Sequence, residues 1–168
     1  MLDKKVEAAL NKQINHEQSN SHAYRAAAEF FRDRYFHGFA AWMDKQVQDE
    51  LGHAQRFTQY VNARAGKVKL GVLPAPQADF PSCAAAAQAV LELERTTTAM
   101  IHDLYRLAVK QDDLATQAML KWFIDEQVEE EEWAMELAAM IEAVEAKSLG
   151  GMFALDHRWG HKAQEEKK

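Results

Sequence analysis

Apolar residues recur at spacings of three and four along almost the whole chain, the pattern of amphipathic helices. Val6, Leu10 and Ile14 begin one such line, and Phe39, Met43, Val47, Ala54, Phe57 and Tyr60 carry a second. The join between them is expected near Tyr35 to Gly38, where a helix of about 30 residues meets a cluster of aromatics and a glycine. Pro74, Pro76 and Pro81, together with Gly66 and Gly71, fall in one segment, about 66 to 82, which is the long break of the chain. Beyond it, Ser82 can cap a third helix running through Leu91, Ile101, Tyr105 and Ala108. Asp112 or Asp113 can cap a fourth, which carries Leu120, Phe123, Ala134, Leu137 and Ile141. Gly150-Gly151 suits the stop of that helix, with a short amphipathic tail after it.

Two helices joined tightly, a long connection and two more helices joined tightly predict an all-α four-helix bundle with one long crossover, a single domain over residues 1–168. Extended chain covers roughly 3.3 Å per residue, so a crossover of about 16 residues can run the length of the bundle.

Each apolar line turns polar near its centre. The first reads Leu10, Ile14, Glu17, Ser21, Tyr24, Ala28, Phe31, and the second Phe39, Met43, Gln46, Glu50, His53, Phe57, Tyr60. The third reads Leu91, Glu94, Thr98, Ile101, Tyr105, and the fourth Leu120, Phe123, Gln127, Glu130, Ala134, Leu137. Helix midpoints meet in an antiparallel bundle, so these groups are expected at one level of the interior. Glu50-Leu51-Gly52-His53 and Gln127-Val128-Glu129-Glu130 each place two polar groups three residues apart, on nearly the same face. Taken singly, a Glu on such a line is commonly a position whose carboxylate reaches solvent, and a lone His53 is commonly a hydrogen-bonded core residue. Four helices with the same lapse at matching heights point instead to metal. Four buried carboxylates without cations would be costly, and no Lys or Arg stands on these lines. Two divalent cations balance four negative charges, and oxygen ligands with one imidazole suit iron or manganese, with zinc able to compete.

Composition narrows the partners. At 168 residues and 48% hydrophobic the chain can bury a substantial core. Its net charge of -6 argues against nucleic acid, which demands clustered Lys and Arg. Charged residues interrupt every apolar segment, so no membrane span is expected. The start Met1-Leu2-Asp3-Lys4-Lys5 lacks an apolar run suited to secretion, and Cys83 is the one cysteine, so a cytoplasmic protein is expected.

Glu17, Tyr24, Glu50-Leu51-Gly52-His53, Glu94 and Glu126-Gln127-Val128-Glu129-Glu130 resemble the ferroxidase centre of non-haem bacterial ferritins, members of the ferritin-like superfamily, and the resemblance covers nearly the whole chain. It implies a ferritin-like bundle with a short C-terminal fifth helix at about 151–161. It further implies that Glu17, Glu50 and His53 bind one iron, that Glu50 bridges, and that Glu94 and Glu130 hold the other. Bacterioferritins and rubrerythrins carry a second Glu-x-x-His on the last bundle helix. Here that place reads Gln127-x-x-Glu130, so the second iron is expected to be held more loosely. Gln127 is expected to orient oxygen or a bound water, and Tyr24 to hydrogen-bond a ligand or donate an electron, with simple packing its plainer alternative. By the same resemblance Asp49, Glu126 and Glu129, sharing Glu130, form a third iron site, with Asp49 where the family more often has Glu.

Bacterioferritin binds haem through a Met that would fall at position 52, where this chain has Gly52, so no haem is expected. A rubrerythrin would need further cysteines. The resemblance implies a homo-oligomeric shell of 24 chains in which Fe(II) is oxidised by O2 or H2O2 and deposited as ferric mineral. Trp42, Trp122, Trp133 and Met152-Phe153-Ala154-Leu155 are more apolar than a solitary bundle needs, which suits association. The competing expectations are a peroxide-detoxifying protein like the mini-ferritins and a helical bundle that binds metal for structure.

Overall fold

The computed structural model describes residues 2–165. Its helices are α1 (Lys4–Arg32), α2 (His37–Ala63), α3 (Cys83–Lys110), α4 (Leu114–Glu145) and α5 (Leu149–Glu165). α1 packs on α2, α3 on α4 and α1 on α3, while α5 lies against α2 and α4. This is the expected four-helix bundle with one crossover, now with residues 64–82 as the connection.

The helix ends follow local chemistry. The Asp3 carboxylate caps α1, accepting from Lys5 N at 2.8 Å and Val6 N at 3.3 Å. Ser82 Oγ caps α3 by accepting from Ala85 N at 3.0 Å, and Asp113 rather than Asp112 caps α4 by accepting from Thr116 N at 3.1 Å. Asp112 instead takes the left-handed conformation in the α3–α4 turn, as Tyr35 and Ala65 do after α1 and α2. Two caps come from distant helices. Glu145, the last residue of α4, accepts from Cys83 N at 2.6 Å and Ala84 N at 2.9 Å, and Asp156 Oδ1 of α5 accepts from Phe39 N at 2.7 Å.

The C-terminal boundary departs from expectation. α4 ends at Glu145, and Gly150 and Gly151 lie in the first turn of α5. Close packing selects glycine there: a Cβ on Gly151 would stand 2.6 Å from Val144 Cγ1. α5 is also longer than 151–161, because Asp156, Trp159 and Ala163 continue its buried face.

The core is two apolar clusters with a polar layer between them. Leu2, Val6, Leu10, Ile14, Phe57, Val61, Ile101, Leu104, Leu120 and Phe123 fill one end. Phe30, Phe31, Phe39, Trp42, Met43, Leu91, Trp133, Leu137 and Trp159 are among those that fill the other. The tryptophans correct the expectation of an association face. Trp42 and Trp133 are buried within the chain, where Trp42 meets Trp159 at 4.9 Å and Trp133 at 5.4 Å between centroids. Met152 is buried as well, whereas Phe153 is exposed. The crossover is fixed to α1 by amide side chains: Asn11 Nδ2 donates to Lys67 O and Asn15 Nδ2 to Lys69 O, each at 2.9 Å.

Candidate metal centre

The polar layer holds Glu17 of α1, Glu50 and His53 of α2, Glu94 of α3, and Gln127 and Glu130 of α4, all buried. Glu17 and Glu94 are no more than 1% exposed, so these carboxylates do not reach solvent. The four helices cross with their midpoints at one level, as the register of the polar positions requires. Glu17, Glu50 and His53 bring one ligand atom each within 4.8 Å of one another, and His53, Glu126 and Glu130 do the same. His53 Nδ1 lies 3.4 Å from Glu50 Oε2.

Burial is the first cause that lifts the pKa of all four carboxyls above the usual carboxylate range, and neighbouring carboxylates add to it in each, for Glu94 through Glu131. Glu17 is raised next by Glu50, and Glu50 by Glu94. Glu130 is pushed up to about 8, by burial and then by Glu94. Glu94 is raised by burial and partly relieved by its bonds to Tyr24 and Gln127.

Neutral donors reach the carboxylates incompletely. Gln13 Nε2 donates to Glu17 Oε1 at 2.8 Å, and Asn20 Nδ2 to Glu50 Oε1 at 3.2 Å. Trp133 Nε1 donates to Glu130 Oε2 at 2.5 Å. Glu94 takes the Tyr24 hydroxyl on Oε1 and Gln127 Nε2 on Oε2, the latter at 3.2 Å. Glu17 Oε2 and Glu50 Oε2 are buried with no hydrogen-bond partner. An orphaned anionic oxygen in a dry core requires a cation or a proton. Two such oxygens beside one imidazole fit a divalent metal, and the oxygen-rich set fits iron or manganese.

The family model of the ferritin-like domain matches residues 7–144. The chain belongs to the ferritin family. A bacterial non-heme ferritin of Staphylococcus saprophyticus is 39% identical over 131 residues, 78% of each chain. Another, of Staphylococcus aureus, is 37% identical over 131 residues, 78% of this chain and 79% of its own. Among solved structures, an open pore ferritin from the hyperthermophilic archaeon Archaeoglobus fulgidus superposes with a TM-score of 0.93 at 33% identity, covering 95% of this chain and 98% of that one. A humanized archaeal ferritin gives 0.93 at 32% identity, covering 95% and 96%.

In this ferritin the expected accessory residues divide around Glu126. Asp49, His53 and Glu126 line a cavity of about 590 Å³ that also exposes Gly52. Glu126, Glu129 and Glu130 line another of about 460 Å³ with Lys45 and Lys162. Burial, then Glu129 and Asp49, raise the pKa of Glu126. Asp49 is also ion-paired with Lys45 at 2.8 Å, and Glu129 is exposed. Glu126 is therefore the member of the trio that stands close to the buried centre.

Four supporting residues escaped the sequence reading: Gln13, Asn20, Thr97 and Trp133. A signal for three of them was present. Each buried carboxylate has a helix companion three residues on: Asn20 after Glu17, His53 after Glu50, Thr97 after Glu94 and Trp133 after Glu130. Asn20 Nδ2 also donates to Thr97 Oγ1 at 2.9 Å, tying α1 to α3 across the site. Trp122, expected at an association face, is half-buried and packs edge-on against His53 with centroids 5.6 Å apart.

Proposed function

We propose that this ferritin stores iron, with Fe(II) as substrate, and that the buried carboxylate layer is a ferroxidase centre. The observation that carries the reading is the pair of orphaned oxygens, Glu17 Oε2 and Glu50 Oε2, beside His53 in a layer with no buried Lys or Arg among the described residues. In this reading Glu17, Glu50 and His53 receive one Fe(II), Glu50 is shared, and Glu94 and Glu130 receive a second. Binding displaces the protons that burial holds on these carboxyls. Carboxylate oxygens favour the harder ferric ion, which makes electron loss easier. Two Fe(II) then give up two electrons. With O2 as oxidant, O2 takes these with two protons to become H2O2; with H2O2 as oxidant instead, H2O2 takes them with two protons to become two waters.

Tyr24 and Gln127 hold Glu94 by its two oxygens, which positions that ligand for the second iron. Glu126 stands next to Glu130 and His53 and opens towards Asp49 on one side and Glu129 on the other, a graded path by which Fe(III) leaves the buried site. The third iron site is assigned to these residues with Glu126 at its centre. Assembly into a 24-chain shell, in the cytoplasm, is part of the proposal. Its support is that the archaeal relatives are described as having an open pore and an engineered closed form, features of an assembly rather than of one bundle.

The test is stopped-flow oxidation of two Fe(II) per chain, with particle size measured alongside. A fast ferric transient on a particle of shell size is expected, slowed at least tenfold by Glu130→Ala. Equal initial rates in parent and variant would refute the assignment, and oxidation no faster than in buffer would leave a structural metal site. Faster reaction with H2O2 than with O2 would make peroxide the working oxidant.

A further inference from the structure

A second group of side chains capable of holding a metal lies away from the carboxylate layer, where α5 crosses the start of α2. His157 and His161 stand four residues apart on α5, both exposed, with ring centroids 4.5 Å apart and planes at 79°. Residues at this spacing share a helix face. They line a cavity of about 300 Å³ together with His37, Gly38, Asp156 and Gly160. Three of the seven histidines in the chain thus edge one small depression.

The backbone explains how they meet. A Cβ on Gly160 would stand 3.1 Å from Gly38 Cα, and a Cβ on Gly38 would stand 1.8 Å from Asp156 O. The two helices touch backbone to backbone, and His37, next to Gly38, is carried to the rim beside the α5 pair. The start of α2 presents a partial positive charge that would repel a cation, but the Asp156 carboxylate sits on that end and offsets it. The neighbouring cations of α5 lean elsewhere: Arg158 and Lys162 pair with Glu136 of α4 at 3.0 and 3.7 Å.

We propose that His157, His161 and His37 form a surface site for one divalent transition-metal ion of the imidazole-preferring class, Cu²⁺, Ni²⁺ or Zn²⁺. Two imidazole nitrogens on one ion, with bonds of about 2 Å, lie roughly 3 Å apart, which His157 and His161 reach by small side-chain rotations, whereas the three rings do not yet converge within 4.8 Å and the exposed His37 must swing in to complete the set. His37 closes the site from α2, so the bound ion clips α5 to the bundle. The ligand chemistry separates this site from the carboxylate centre. Imidazole favours borderline ions, Cu²⁺ most strongly, whereas the oxygen-rich layer favours iron.

Electron paramagnetic resonance of the metal-free, full-length protein titrated with up to one Cu²⁺ per chain decides the matter, because the carboxylate centre holds a single imidazole, His53, and cannot produce a three-nitrogen pattern. The expected spectrum shows coupling to three nitrogens. His37→Gln should reduce it to two and weaken Cu²⁺ binding about tenfold. The double variant H157Q/H161Q should lose it, with binding weakened at least a hundredfold. His22→Gln, on the exposed face of α1, should change nothing, and the circular dichroism of all variants should match the parent. A parent spectrum with one coupled nitrogen, or spectra and affinity unmoved by H37Q or H157Q/H161Q, would overturn the site. Fe(II) oxidation should proceed at the parent rate in the double variant, which reads the carboxylate centre separately.

Discussion

Glu17 and Glu50 bring carboxylate oxygens within 4.8 Å of each other on adjacent helices, and each leaves its Oε2 buried without a hydrogen bond, the Glu50 oxygen with only His53 Nδ1 at 3.4 Å beside it. Such an arrangement sacrifices stability to ligand capacity. Glu50→Gln removes one charge at nearly constant shape. In chelator at pH 8 the variant should melt about 2–6 °C above the parent, from relief of about 1–2 kcal/mol in a chain of this size. The same variant should lose the fast phase of Fe(II) oxidation. Calorimetry showing a lower melting temperature would contradict the electrostatic account.

The raised carboxyl pKa values give metal-free protein an unusual pH dependence. Glu130 titrates near 8 when folded and near 4.5 in the unfolded chain, and Glu17, Glu50 and Glu94 are shifted in the same direction. Between those limits the folded state holds protons that the unfolded state has released, so stability falls as pH rises. The slope is at most about 1.4 kcal/mol per pH unit for each such group, and it flattens above pH 8 for Glu130. Urea unfolding in chelator at pH 5, 6.5 and 8 should show a monotonic decline, whereas saturating Zn²⁺ should remove most of it.

Tyr24 places its hydroxyl on Glu94 Oε1, and the bond lowers the Glu94 pKa against the effect of burial. Tyr24→Phe keeps the ring and its packing against Trp133, whose centroid is 6.3 Å away. The freed carboxylate should hold its metal less well. Loss of a bond contributing about 1–1.5 kcal/mol predicts a second Co²⁺ bound roughly 5- to 10-fold more weakly, with the first unchanged. Identical affinity for both ions in Tyr24→Phe would place the tyrosine outside the ligand shell.

Gly38→Ala tests the α2–α5 crossing. The added methyl overlaps Asp156 O, a backbone atom that cannot step aside without moving α5. A loss of about 3 kcal/mol is expected, along with increased tryptophan exposure as Trp159 leaves Trp42. Fluorescence and thermal melts equal to the parent would show that the crossing has more slack than its distances allow.

Much of this ferritin was written in the order of its residues. The period of apolar positions determined four helices, the prolines at 74, 76 and 81 determined the crossover, and Ser82 and the Asp112-Asp113 pair marked the starts of α3 and α4, because these effects act within a few residues of one another. The interrupted lines also disclosed the polar layer, since equal register in an antiparallel bundle converts sequence position into height. The tertiary structure decided what depends on which helix approaches which, and how closely. Gly150-Gly151 reads as a stop, yet it opens α5, because Val144 leaves no room for a side chain there. The tryptophans read as surface, yet α5 covers Trp42 and Trp133, a contact between segments over a hundred positions apart for the first of them. Which oxygens find donors is likewise a matter of packing. Glu94 is satisfied by Tyr24 and Gln127 from two other helices, while Glu17 and Glu50 each keep one oxygen bare. Local pattern determines where a carboxylate stands, and only the assembled neighbours determine whether it needs a metal.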